Sequence, residues 1–177
     1  MKNYRLLLAL LLVPATMTMF SCTKNNNTTV VKTDSVYYSA WNVLNMAETD
    51  NGDTLFYQDF NNAAITLNII NKGAILGYFA YIPQQGDTVL LPASDALAQF
   101  FDVGVIEVQS TVQFITSDNL LYRYVLVPGT VSINSVGTGG TPKTYTVNDL
   151  KKMSYSQVTA ILGMPSSGKG SVQVKSE

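Results

Sequence analysis

Residues 106–114, IEVQSTVQF, alternate apolar and polar along almost their whole length. Ile106, Val108, Val112 and Phe114 share one side, with Ser110 the single polar residue among them, and Glu107, Gln109, Thr111 and Gln113 share the other. Successive side chains of an extended strand point to opposite faces, so a period of two implies a strand with one buried and one wet face. After the turn cluster TSDN at 116–119, Leu120–Val127 (LLYRYVLV) is apolar on both sides except at Arg123. That is the pattern of a central strand covered on both faces. The two runs are expected to pair as a hairpin, ended by Pro128 and Gly129.

Other runs rich in β-branched and aromatic residues are Val36–Leu44, Thr54–Phe60, Ala64–Ile70, Ala74–Ile82 and Thr88–Pro92. The segments ETDNGD, NKG and PQQGD between them carry turn signals. Ser94–Phe101 (SDALAQFF) suits one short helix capped by Ser94. About seven consecutive strands with short turns imply an antiparallel β-sandwich, Ig-like, or a small barrel. The C-terminal region differs. Thr146 and Ser154 are N-cap signals, and Ser154 with Gln157 three residues later spells a capping box. Val158, Ile161 and Leu162 then form one apolar face, and Gly163 and Pro165 stop the helix. The organisation read from the chain is a leader over 1–21, a polar tether over 22–35 and a sandwich over 36–136. A linker and short helical cap over 137–165 and a flexible tail over 166–177 complete it.

Composition narrows the chemistry. A chain of 177 residues is long enough for one domain with its own core. Its net charge of -1 provides no basic surface for nucleic acid, which is set aside as a partner. There is no histidine, so the commonest general base and zinc ligand is missing. The single cysteine allows neither an intrachain disulfide nor a CxxC metal site. Catalysis would have to rest on carboxylates, lysine or tyrosine. A non-enzymatic role without a cofactor is the expectation.

Residues 1–21 place Lys2 and Arg5 ahead of the apolar run Leu6–Val13, followed by a mixed stretch that ends at Ser21. This is the layout of a signal peptide, with an apolar run shorter than the roughly 20 residues that span a bilayer. The sole cysteine, Cys22, follows immediately, behind the small Ser21 and with the apolar Met19 three positions before it. The alternative is an ordinary cleaved leader with a cysteine nearby. The arrangement resembles a bacterial lipoprotein precursor, whose lipobox cysteine becomes the acylated N-terminus. The resemblance implies that Cys22 carries acyl chains such as palmitate and tethers the mature protein to a membrane. Loss of Lys2 and Arg5 would leave nine basic against twelve acidic residues. The asparagine-rich start after Cys22 is similar to lipoproteins of the Bacteroidetes type, in which acidic residues just after the cysteine favour the cell surface. TKNNN has none, which implies the periplasmic face of the outer membrane, with the cell surface as the alternative. The Trp-bearing first strand, Tyr122–Gly129 and the terminal LKKMSYSQVTAILGMP also resemble small Bacteroidetes lipoproteins, a likeness that implies fold and location but no activity. The protein or glycan partner stays open.

Five further features invite a chemical reading. Gly163–Gly170 (GMPSSGKG) nearly spells a phosphate-cradling loop, but Gly170 stands where the metal-binding hydroxyl belongs and no helix can follow. Glu48, Asp50, Asn51 and Asp53 are oxygen ligands of the kind calcium prefers, although Asn51-Gly52 reads more simply as a hairpin turn. Asp59, Asp87, Asp102 and Glu107 are candidates for a paired-carboxylate site. Trp41, Tyr37 and Tyr57 offer either a sugar-stacking platform or core aromatics. Arg123, the only arginine beyond the leader, needs a partner, because an unpaired buried charge costs several kcal/mol. A carboxylate or hydrogen bonds at a sheet edge are expected to supply it.

Overall fold

The computed structural model describes residues 33–48, 55–115, 118–133 and 143–176. Cys22, the leader, the segment holding Asp50, Asn51 and Asp53, and most of the 137–143 linker lie outside the described residues. The strands are β1 (Thr33–Tyr38), β2 (Asn42–Val43), β3 (Ala47–Glu48), β4 (Phe56–Asn61), β5 (Ala74–Tyr81) and β6 (Val89–Pro92). They continue as β7 (Ala98–Asp102), β8 (Val105–Ser110), β9 (Leu120–Val127), β10 (Val131–Ile133), β11 (Lys143–Tyr145) and β12 (Gly170–Ser176). Among the described residues three short helices accompany them: α1 (Leu67–Lys72), α2 (Val147–Lys151) and α3 (Tyr155–Leu162). Among the described residues no helix is long and apolar enough to cross a membrane.

The strands form two antiparallel sheets, a sandwich in line with the sequence reading but built from more strands. The larger runs β11-β10-β12-β1-β9-β5-β6 with β2 also on β9, and the smaller runs β3-β4-β8-β7. β9 is the central strand that its apolar pattern implies. Leu120, Tyr122, Tyr124 and Leu126 point into the core shared with the small sheet, where Phe60, Ile106, Val108 and Phe79 meet them. Val125 and Val127 point the other way, into a second core closed by Leu150, Tyr155, Val158 and Leu162 of α2 and α3. The helices therefore cover the outer face of the large sheet and make a third layer. Both are opened by capping boxes, Thr146 with Asp149 and Ser154 with Gln157, and Gly163 ends α3 at φ 64, a left-handed conformation that suits glycine.

Five expectations need correction. The run 36–44 is broken: Ser39 donates its N–H to Tyr124 O at 3.0 Å and accepts Tyr124 N on its Oγ at 3.0 Å, so β1 and β2 are two separate strands that both pair with β9. Ala64–Ile70 does not form a strand, because Thr66 caps α1 by accepting Ile69 N, and the chain is helical from Leu67. Ser94–Phe101 is not a helix but a single tight turn at Ala93–Asp95 followed by β7. β8 and β9 are not a hairpin. β8 stops at Ser110, whose Oγ accepts Val112 N, and the chain crosses from the small sheet to the large one, leaving Val112 59% exposed. Finally, the tail 166–177 contains β12, which pairs with β1 from Thr33↔Lys175 to Tyr38↔Gly170 and with β10 on its other side.

The depth of the two cores has a consequence at high pH. Burial pushes the Tyr78 and Tyr122 phenols well above the ordinary tyrosine value, with Tyr155 and Tyr124 respectively adding to the rise. A raised phenol contributes stability that is fully present below the unfolded value near 10 and is lost as pH climbs above it. Absorbance at 295 nm should therefore show exposed tyrosines ionising first, and these two only as near-ultraviolet circular dichroism collapses. Ionisation of every tyrosine in one step with the fold intact would contradict the burial.

Candidate functional site

Arg123 is fully buried at the centre of the large sheet, on the helical side. Its partners are neutral. Nη1 donates to Tyr155 Oη and to Ser166 O at 2.7 Å, and Nη2 donates to Gly168 O at 3.1 Å. The guanidinium also lies over the rings of Tyr38, Tyr155 and Trp41, with centroid distances of 5.2, 5.6 and 5.8 Å. Ser166 O accepts two further donors, Trp41 Nε1 at 3.1 Å and Tyr155 Oη at 3.0 Å. Burial raises the Tyr155 phenol while the adjacent guanidinium opposes the rise. Arg123 Nε is the buried side-chain polar atom without a hydrogen-bond partner among the described residues. Among the described residues no carboxylate is a partner, so that part of the expectation is corrected: two main-chain carbonyls, the Tyr155 hydroxyl and three aromatic faces hold the charge.

This arrangement explains the GMPSSGKG segment. Its carbonyls, not its N–H groups, converge on a charge, and the charge is a cation. A phosphate-binding loop does the reverse. Gly168 at φ 81 supplies the left-handed turn that brings Ser166 O and Gly168 O to the same guanidinium. Tyr155 and the two carbonyls are the part of this centre that the sequence reading missed. Tyr155 sits one residue into α3 on its buried side, a usable signal, whereas carbonyl acceptors leave no mark in composition.

The aromatic platform does not assemble. Trp41 packs edge-on against Tyr155 at 5.2 Å, Tyr37 points to the face of β1 opposite Val36 and Tyr38, and Tyr57 belongs to the small sheet. Of the candidate carboxylates, Asp59 and Glu107 are brought together, directly opposite one another on β4 and β8. Asp102 lies on the same outer face at the end of β7, and Asp87 is away from it, exposed between β5 and β6. Cross-strand neighbours sit about 5 Å apart at Cβ, and like charges so placed repel. Glu107 Oε1 accepts Gln109 Nε2 at 2.5 Å. Both carboxylates stand on the outer face of the small sheet, Asp59 exposed and Glu107 half-buried.

The register puts this face in order. Asp59, Glu107 and Phe100 form one row, and Tyr57, Gln109 and Ala98 the next. Phe100 is 53% exposed and Tyr57 half-buried, so two aromatic rings flank the carboxylates on either side of β8. At the far end of the sandwich an open cleft of about 480 Å³ lies between Tyr81, Ile82, Val112 and Asn119. Its carboxylate, Asp118, is engaged by Ile115 N at 2.8 Å. Among the described residues no three Cys, Asp or Glu side chains gather as metal ligands, and Glu48, whose neighbours in the calcium reading lie outside those residues, is in β3. No family model, no curated protein and no solved structure matches the chain.

Proposed function

We propose that the chain is a non-enzymatic lipoprotein of the cell envelope, held at the outer membrane by acyl chains on Cys22 and using its sandwich as a binding or structural module. The observation that carries this reading is the sole cysteine placed directly behind Lys2, Arg5 and the Leu6–Val13 run and ahead of a polar stretch that leads to β1. At about 0.8 kcal/mol per buried methylene, several acyl chains give an anchor that does not leave the bilayer. The periplasmic side fits the absence of acidic residues just after Cys22. Mass spectrometry of the mature protein should find an acylated Cys22 at its N-terminus, and Cys22→Ala should abolish the modification and release the chain from membranes. An unlipidated, soluble wild-type product would overturn the reading.

The open face of the small sheet favours a second role for the same module, as a carbohydrate-binding accessory of a surface uptake system. Tyr57 and Phe100 offer ring faces for the C–H side of a pyranose, while Asp59, Glu107 and Gln109 offer acceptors and an amide for hydroxyl groups. The carboxylates disfavour anionic polymers, leaving neutral saccharides. Calorimetric titration of the lipoprotein with neutral oligosaccharides should give heats that the Tyr57→Ala, Phe100→Ala variant loses at least tenfold in affinity. Identical binding by both proteins would remove the face from consideration.

A further inference from the structure

The charges of the chain are sorted by position. Residues 33–122 hold ten carboxylates, from Asp34 to Asp118, and one basic residue, Lys72. Residues 123–177 hold six basic residues, Arg123, Lys143, Lys151, Lys152, Lys169 and Lys175, against two acidic ones, Asp149 and Glu177. The fold sets part of this imbalance on opposite surfaces, while Asp34 stays on β1 in the large sheet, opposite Val174. Asp59, Glu107 and Asp102 lie on the outer face of the small sheet, whereas Lys143, Lys151 and Lys152 lie exposed on β11 and at the end of α2, across the large sheet.

The lysines are also near where the chain arrives from its N-terminus. β1 begins at Thr33, which pairs with Lys175 of β12, and β12 is followed outward by β10 and β11. Lys175 pairs with Ser132, which in turn pairs with Thr144, next to Lys143. Lys143 and Lys152 both act on Asp149, whose carboxyl is held below the usual range chiefly by hydrogen bonds from Thr146. These groups therefore share one corner. Cys22 and Thr33 are eleven residues apart, and a chain of that length reaches at most about 40 Å.

We propose that this lysine corner, Lys143 with Lys151 and Lys152, rests on the anionic phospholipid surface beside the anchor and turns the acidic sheet face away from the bilayer. The proposal builds on the reading that Cys22 is acylated. The short tether confines the corner to the neighbourhood of the headgroups, which raises its effective concentration there. Attraction between lysines and an anionic surface acts within about a Debye length, roughly 8 Å at physiological salt. Repulsion of Asp59, Glu107 and Asp102 by the same surface disfavours the inverted orientation.

The test uses the mature lipoprotein reconstituted into vesicles of phosphatidylcholine alone and into vesicles in which about a third of the lipid is phosphatidylglycerol. Amide hydrogen exchange over residues 143–153 should slow in the anionic vesicles only, and the protection should vanish at about 0.5 M salt, where screening shortens the range to a few ångströms. Each lysine near an anionic surface is worth roughly fivefold in partition, so the Lys151→Glu, Lys152→Glu variant should lose the protection by at least an order of magnitude. Both positions are exposed, and circular dichroism of the variant is to be recorded alongside, a native spectrum being expected. Equal exchange in the two lipids, or protection unchanged by the charge reversal, overturns the proposal. Flotation of the wild type with neutral vesicles reads the anchor separately: a chain that fails to float with them lacks the anchor, while protection on anionic vesicles still reports the corner.

Discussion

Arg123→Ala should destabilise the domain by about 3–5 kcal/mol, read as a shift in the urea midpoint. Two losses combine. Removal of the guanidinium and its methylenes leaves a cavity beneath Tyr38, Trp41 and Tyr155 and takes the Arg123 donor from Gly168 O, Ser166 O and the Tyr155 hydroxyl, although Ser166 O keeps the Trp41 and Tyr155 donors. One term opposes them, since the variant no longer buries a cation without a counter-charge. Arg123→Met separates the contributions, because it refills most of the volume and donates nothing. If packing dominates, Met should recover most of the loss; if the carbonyl bonds dominate, Met should resemble Ala. Lysine is a poor substitute for either purpose, as one ammonium cannot reach two carbonyls from the positions of Nη1 and Nη2 or lie flat against three rings. An alanine variant within about 1 kcal/mol of the wild type would mean that this centre is not a principal tie between α3 and the sheet.

A chain terminated after Pro165 should fail to unfold cooperatively at all. The truncation removes the β1–β12 pairing over six residues, and β1 then keeps only Tyr37↔Leu126 and Tyr38↔Val125 with β9. β10 loses its link to the rest of the sheet as well, since its other neighbour is β11 at the edge. The carbonyls that hold Arg123 leave with the same segment. A domain whose total stability is about 5–15 kcal/mol does not survive the loss of a strand and the exposure of a charge in its core. Near-ultraviolet circular dichroism and a urea titration check this directly. A truncated chain with a sharp transition near the wild-type midpoint would show that β12 is an accessory strand.

These two expectations concern segments that sequence patterns describe unequally well. β9 was legible because eight residues apolar on both faces have few places to go other than a covered strand. Its anomaly, Arg123, was legible as a charge in need of partners, but carbonyl partners are set by how a loop is threaded and not by residue type. The strand in the tail had a signal, since Val172 and Val174 alternate with Gln173 and Lys175. The preceding Ser, Gly and Lys run obscured it. At 64–70, β-branched residues suggested extension, and a threonine cap with a glycine after Lys72 proved stronger. The supposed hairpin at 106–127 failed for a topological reason. Both strands are present, but neighbours in the chain belong to different sheets, and nothing local records which sheet a strand joins. The outer face of the small sheet was half legible: the period of two sent Glu107 outward, while its meeting with Asp59 depends on a pairing between strands about fifty residues apart.

The position of β12 bears on the timing of the fold. The first strand of the domain takes its neighbours from residues 120–127 and 170–176, so a chain emerging from its N-terminus holds β1 without its six-residue pairing to β12 until residues 170–176 are available. Pairing between such distant segments is slow to establish, because a long loop must be closed before any contact rewards it. The large sheet of this protein is thus completed from both ends of the domain at once, and an unfinished copy has nothing with which to complete it.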